Sequence, residues 1–303
     1  MHNHKPLFAF FGTSRLSVCV LDALEAHGFV PALIITAPDK PQGRGLDALP
    51  CPAALWAKER DIEVIKPSTL KDESLVAELK NTDWDLFIVA MYAKIIPRAV
   101  LDIPRLGCLN VHPSLLPRFS GPSPVLSAIL ADERTTGVCV MEMVEELDAG
   151  PVVAQARIEL EPEDWPPRGS VFEELLATEG GNLLAEIMPE WINGATTSVP
   201  QNESEATFTK KFTDVDALIE FDPVCPPKGV AARATLLHIR AFDKSPRAYF
   251  MLINSNPEKQ KECAKRIIIT DAIIEDDTLK ILSIIPEGKR EMPYQDFMRQ
   301  FRK

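Results

Sequence analysis

The chain has 303 residues, enough for two ordinary domains, because single hydrophobic cores stop growing near about 250–300 residues. Hydrophobic residues at 46% and charged residues at 25%, with 26 Pro and 14 Gly in no repeat, exclude fibrous, coiled-coil and disordered classes. The net charge of −11 excludes a uniformly basic surface for nucleic acid, although from Phe208 onward 17 Lys and Arg outnumber 14 Asp and Glu, against 16 and 30 upstream.

The opening Met1-His2-Asn3-His4-Lys5-Pro6 lacks the apolar core of a signal peptide, and no stretch approaches the roughly 18 apolar residues that span a bilayer. A cytoplasmic protein with no membrane partner is expected. Leu7–Phe11 is an apolar run ended by Gly12-Thr13-Ser14, and Leu16 to Ala26 then repeats apolar residues at helical spacing, a strand followed by a helix. Val30–Thr36 predicts a second strand. The long loop Asp39 to Pro50, the helical Pro52 to Arg60 and the short strand Glu63-Val64-Ile65 follow. Further strands are expected at Asp85–Ala90, Gly107–His112 and Gly137–Met141, with helices at Leu75 to Lys80 and Pro124 to Leu130. Continuous apolar strands alternating with helices predict an α/β, Rossmann-like domain with a mostly parallel sheet covered on both faces. Its ligand site belongs beyond the carboxyl ends of the strands.

After a helix around Leu175 to Ile187, Asn193 to Glu205 has no apolar periodicity and reads as linker. Ala248–Ile253, Arg266–Ile274 and Leu279–Ile285 then read as strands separated by turn residues, which predicts a small OB-like β-barrel. The expected organisation is a catalytic domain over 1–190, a linker over 191–207 and a C-terminal barrel over 208–303. The six cysteines, Cys19, Cys51, Cys108, Cys139, Cys225 and Cys263, contain no C-x-x-C pair, so reduced thiols and no metal are expected. Phe11-Gly12-Thr13-Ser14-Arg15 has one glycine where a dinucleotide fingerprint needs three. No nucleotide cofactor is expected.

The stretch with most chemical content is Asn110-Val111-His112-Pro113-Ser114-Leu115-Leu116-Pro117. An amide and an imidazole two residues apart on a strand point to one side, and Pro113 ends the strand. Thirty-six residues on, Leu147-Asp148-Ala149-Gly150 supplies a carboxylate at a small-residue turn. Such a trio suits acyl or formyl transfer to an amine. The amide stabilises an oxyanion, the imidazole polarises or moves a proton, and the carboxylate orients the ring. By spacing alone, a structural histidine and an ordinary Asp turn are the commoner readings.

Asn-x-His followed by Ser-Leu-Leu-Pro and a later Leu-Asp-x-Gly resembles the formyltransferases that use 10-formyltetrahydrofolate. The likeness runs almost end to end, through Ala37–Gly45, Ala90–Pro97, Ile239–Asp243 and Glu287–Phe297. The resemblance implies an enzyme that moves a formyl group from 10-formyltetrahydrofolate to the α-amino group of methionyl initiator tRNA in translation initiation. It implies Asn110, His112 and Asp148 as catalytic residues, with Ser114, Leu115, Leu116, Pro117, Tyr92 and Ile95 around the folate. Lys40, Arg44, Lys210 and Lys211 would contact tRNA, with Arg233, Arg240, Lys244 and Arg247 extending a basic track. Ser120 and Ala93 depart from the family pattern, which usually has an arginine in the loop after the Leu-Pro motif and a glycine at position 93. A monomer is expected. Two rival readings are a formyltransferase for a small amine, such as a nucleotide-linked amino sugar, and a catalytically silent tRNA-binding homologue. The segment from Phe208 to Lys303 argues against the first, and the intact trio against the second.

Overall fold

The computed structural model of the protein describes residues 5–42, 47–223, 225–254 and 263–301. Its elements are β1 (Phe8–Phe11), α1 (Arg15–Ala26), β2 (Leu33–Ile35), β3 (Lys40–Gln42), β4 (Asp47–Leu49), α2 (Pro52–Lys58), β5 (Glu63–Ile65), α3 (Glu73–Leu79), β6 (Leu86–Val89), α4 (Arg98–Leu101), β7 (Cys108–His112), α5 (Pro124–Leu130), β8 (Thr135–Glu142), β9 (Val152–Glu159), α6 (Gly169–Ile192), α7 (Gly229–Ala241), β10 (Tyr249–Asn254), β11 (Cys263–Glu275), β12 (Thr278–Pro286), β13 (Met292–Pro293) and α8 (Tyr294–Phe301).

The residues fall into two compact units, and neither is a contiguous half. The first comprises residues 1–121, 135–159 and 173–208, and the second 122–134, 160–172 and 209–303. Seven strands of the first unit form one sheet in the order β5-β2-β1-β6-β7-β8-β9. The five strands from β5 to β7 are parallel, and β8 and β9 add in antiparallel fashion. Period-two alternation sends Phe8, Phe10, Ile34, Leu86, Ile88, Leu109 and Val111 into one layer with α1, α2 and α6. Ala9, Phe11, Leu33, Ile35, Phe87, Val89 and Cys108 enter the other, with α3 and α4. α6 lies so close to the sheet that a Cβ on Gly180 would stand 2.4 Å from Val111 Cγ1. Glycine is required there by proximity, which is why a residue that weakens helices occupies mid-helix.

Besides α4, α7, β13 and α8, which were not expected, three features differ from the sequence expectation. The loop Asp39 to Pro50 carries the antiparallel pair β3 and β4. β9 is an additional edge strand whose Gln155, Arg157 and Glu159 side chains break the apolar signal. α6 begins six residues before and ends five residues after the expected 175–187.

The second unit holds a four-stranded antiparallel sheet, β10-β11-β12-β13. The register of β11 against β12 shifts between Ile269 and Ala272. α5 joins this unit, and Asp132 just beyond it accepts from Arg233 (2.7 Å) and from Trp165 Nε1 (2.6 Å). Among the described residues no helix is long and apolar enough to cross a membrane.

Phe87 is fully buried, with its ring 5.3 Å from that of Phe11 and 5.7 Å from that of Trp84. Phe87→Ala removes these contacts from a layer that cannot fully collapse, so a loss of about 3–5 kcal/mol in unfolding free energy is expected. Urea denaturation measures it. A loss under about 1 kcal/mol would mean that this layer does not support the sheet.

Candidate active site

β1 pairs with β2 on one side and β6 on the other, so the connections diverge at the carboxyl ends of β1 and β6, where open α/β sheets bind ligands. β7 lies next to β6 and ends at His112. Its apolar Leu109 and Val111 enter the layer of α1 and α6, which turns Asn110 and His112 to the opposite face. There a small apolar cluster of Leu116, Cys139 and Met141 continues the core, and the chain places polar groups beside it.

His112 is buried, with its side chain 6% exposed. Its Nε2 lies 3.3 Å from the Phe119 carbonyl, an acceptor, so this nitrogen carries the proton in the neutral ring. Nδ1 lies 3.7 Å from Asp148 Oδ2, within ion-pair distance but longer than a hydrogen bond. Burial holds the imidazole below its ordinary pKa, while the Asp148 charge and the Phe119 carbonyl oppose that shift. The ring is therefore neutral at physiological pH, and Nδ1 is a base whose protonated form has a carboxylate beside it. Asp148 Oδ2 also accepts from the Gly121 amide at 2.7 Å.

Asp148 holds a left-handed backbone conformation, with φ +52, which Asp adopts more readily than bulkier residues. Two residues on, a Cβ at Gly150 would stand 1.8 Å from the Glu142 carbonyl. The turn that presents Asp148 thus closes against the end of β8. Opposite His112 in the register lies Cys139, whose thiol burial pushes up to about 12. It is an unreactive neighbour. Asn110 stands opposite Met141 and is half-buried. No hydrogen bond of its carboxamide is formed among the described residues.

The loop after β7 is tied to itself. Ser114 is buried and its hydroxyl donates to the Arg118 carbonyl at 2.8 Å. Leu116 packs against Cys139 and Met141, and its carbonyl accepts from Gln155 Nε2 at 2.7 Å. Leu115 is half-buried, as is Pro117, whose carbonyl accepts from the Thr207 amide. Beyond β6, Tyr92 is half-buried with its ring edge-on to Phe11 at 5.6 Å. Its hydroxyl is buried without a partner among the described residues, and burial pushes its pKa up to about 12. Ile95 is 83% exposed.

Of the expected tRNA contacts, Lys40 lies on β3, and Arg44 lies outside the described residues. Lys210 is paired with Asp216 and Lys211 is exposed. Two members of the basic track are neutralised from within. Arg233 pairs with Asp132 and Arg240 with Asp271, because each arginine is only partly exposed and a nearby carboxylate compensates its lost hydration. Groups that the sequence reading did not single out also shape the site: the Phe119 carbonyl, the Gly121 amide, Gln201 and Thr207. The first two are backbone groups and carry no side-chain signature. The others lie in the polar run read as linker. Among the described residues no cluster of His, Cys, Asp and Glu could hold a metal ion.

The formyl transferase family profile matches residues 5–177. A methionyl-tRNA formyltransferase of Chloroflexus aggregans is 40% identical over 240 residues, covering 79% of this chain and 74% of its own. Another, of Macrococcus caseolyticus, is 34% identical over 302 residues, covering 95% and 94%. Among solved structures, HypX from Aquifex aeolicus in complex with tetrahydrofolic acid superposes with a TM-score of 0.61 over 99% of this chain and 48% of that one, at 17% identity. That likeness establishes a shared fold. With a family profile spanning more than half of the sequence and a relative matched almost end to end, the chain belongs to the methionyl-tRNA formyltransferases.

Proposed function

We propose that the protein transfers the formyl group of 10-formyltetrahydrofolate to the α-amino group of methionyl initiator tRNA. The observation that carries this reading is the 34% identity over 95% of the chain to a relative of that name, since it includes the C-terminal segment along with the catalytic half.

In the proposed reaction 10-formyltetrahydrofolate supplies the formyl carbon. Asn110 donates its amide N–H to the oxygen of that group as negative charge builds there. His112, neutral through burial, takes a proton from the attacking nitrogen. Asp148, anchored by the Gly121 amide, stabilises the imidazolium that results. The imidazolium returns the proton to the folate nitrogen as that nitrogen's bond to the formyl carbon breaks, so tetrahydrofolate leaves as a neutral amine. An α-amino group with a pKa near 8 is already partly neutral at physiological pH, so alignment and oxyanion stabilisation are the larger demands. Ser114, Leu115, Leu116 and Pro117 form one side of the folate site, and Tyr92 and Ile95 the other. The exposed Ile95 side chain offers the apolar surface that a pterin or its aromatic linker would cover. In this reading residues 208–303 close an OB-like barrel that receives tRNA, bent by the register shift in β11. The protein works as a cytoplasmic monomer.

Incubation with labelled 10-formyltetrahydrofolate and charged initiator tRNA tests the reading. Label on the methionine is expected; label on a nucleotide-linked amino sugar, with none on methionine, would overturn it. Lys40, Arg44, Lys210 and Lys211 contact tRNA phosphates in this reading. Arg44→Ala and Lys211→Ala are each expected to weaken tRNA binding and to reduce the slope of log affinity against log salt by about 0.7–0.9, with kcat unchanged. Binding titrations across a salt series check this, and an unaltered slope in both variants would remove these residues from the interface.

A further inference from the structure

The polar run read as linker is bonded along the first unit. Val199 and Val152 exchange two backbone hydrogen bonds of 2.8 Å. The Gln201 amide nitrogen then donates to two carbonyls at once, that of Asp148 at 2.7 Å and that of Gly150 at 2.8 Å. Six residues later Thr207 grips the other loop. Its Oγ1 accepts from the Phe119 amide at 2.8 Å, its carbonyl accepts from the Ser120 amide at 2.9 Å, and its amide donates to the Pro117 carbonyl at 3.2 Å. These two loops supply the groups around His112. One carries Asp148, and the other carries the Phe119 carbonyl and the Gly121 amide. Neither Gln201 nor Thr207 touches His112 or the Asp148 carboxylate by any of these bonds.

We propose that Gln201 and Thr207 are positioning residues, which through the backbones of 148–150 and 117–120 hold the Asp148 carboxylate and the Phe119 carbonyl on the two nitrogens of His112. The inference rests on the proposed formyl transfer for its kinetic consequence and on the geometry alone for its structural one. Gln201 suits the task because one NH2 group offers two donors on a planar fork. Two carbonyls on either side of Ala149 can share it only if the turn stays closed, and the closed turn includes the left-handed Asp148. Thr207 engages three groups of the other loop: its carbonyl holds the Phe119–Ser120 peptide whose oxygen faces His112, and its hydroxyl holds Phe119 from the amino side through the Phe119 amide.

Gln201→Met preserves length and removes both donors. In the full-length protein it is expected to lower kcat by about 10–100-fold, the loss typical of a reacting group displaced by about 1 Å, with KM for folate and tRNA within about twofold of the parent. In an Asp148→Ala background the same substitution is expected to cost nothing further, because a residue acting through Asp148 has nothing left to position. Hydrogen exchange of the Gly121 amide, which donates to Asp148 Oδ2, is expected to quicken at least about tenfold in Gln201→Met. Thr207→Val should lower kcat and Thr207→Ser should restore it, which also decides the matter if Gln201→Met fails to fold. A parental kcat in Gln201→Met, an equal loss in both backgrounds, unchanged Gly121 exchange, or equal rates for Thr207→Val and Thr207→Ser would each overturn the inference. A parent protein that formylates no tRNA overturns the proposed function instead, and the Gly121 exchange then decides the positioning by itself.

Discussion

Asn110→Ala is expected to lower kcat for formyl transfer by about 10²–10³-fold, or roughly 3–4 kcal/mol, the cost of deleting one oxyanion donor. Leu109 and Val111 are drawn into the layer beneath α6, so the Asn110 side chain must emerge on the face shared with His112. The carboxamide is half-buried and meets no partner among the described residues, so its donors are free for a substrate oxygen. A carbonyl carries less charge before attack than after it, so the loss belongs mainly to kcat, with KM little changed. Asn110→Asp should be at least as damaging, since an ionised carboxylate offers only acceptors to a developing anion. Single-turnover transfer to charged initiator tRNA measures the effect. A decrease below about tenfold would place oxyanion stabilisation on another group.

The parts of the fold readable from sequence are those where one periodicity dominates. β1, β2 and β6 are continuous apolar runs because helices cover both faces of the sheet, and the alternation in β7 placed Asn110 and His112 on one side. β9 was hidden because edge position lets Gln155, Arg157 and Glu159 face water. β3 and β4 were hidden by Pro38, Pro41, Gly43 and Gly45, which read as loop punctuation. The carboxyl-terminal end of α6 was obscured by Pro189, a residue with poor helix propensity that sits inside the helix. The segment 199–208 lacked any periodic signal because its attachment runs through backbone groups, one glutamine amide and one threonine hydroxyl, which leave no hydrophobic pattern. The same reason applies to Asp148. Its carboxylate could be named from Leu-Asp-x-Gly, but its approach to His112 depends on a left-handed φ and a backbone amide at Gly121, neither of which a residue list states. The paired arginines teach the converse. Arg233 and Arg240 look available in sequence, and their carboxylate partners come from residues 132 and 271.

Asp148→Asn is expected to lower kcat by at least about 10²-fold and, at the same time, to move the acid limb of kcat/KM to lower pH. Two groups govern that profile in the parent protein. The α-amino group, with a pKa near 8, must be neutral to attack. His112 must be neutral to accept a proton, and burial holds its pKa below the usual 6.5. Log kcat/KM should therefore rise with unit slope towards pH 8 and steepen to a slope of two only below the His112 value. Asp148 favours the charged ring, so neutralising it leaves burial less opposed and His112 harder to protonate. The break moves down in pH while the plateau falls, because the imidazolium formed during transfer loses its counter-charge. Stability follows the same sign. The unfolded chain protonates His112 first as pH falls through 6.5, so this residue withdraws stability on the acid side, and Asp148→Asn widens the window over which it does so. Rate profiles from about pH 5 to 9 on both proteins separate this account from a purely structural carboxylate. An unmoved break with a reduced plateau would show that Asp148 supports the loop without setting the charge of His112.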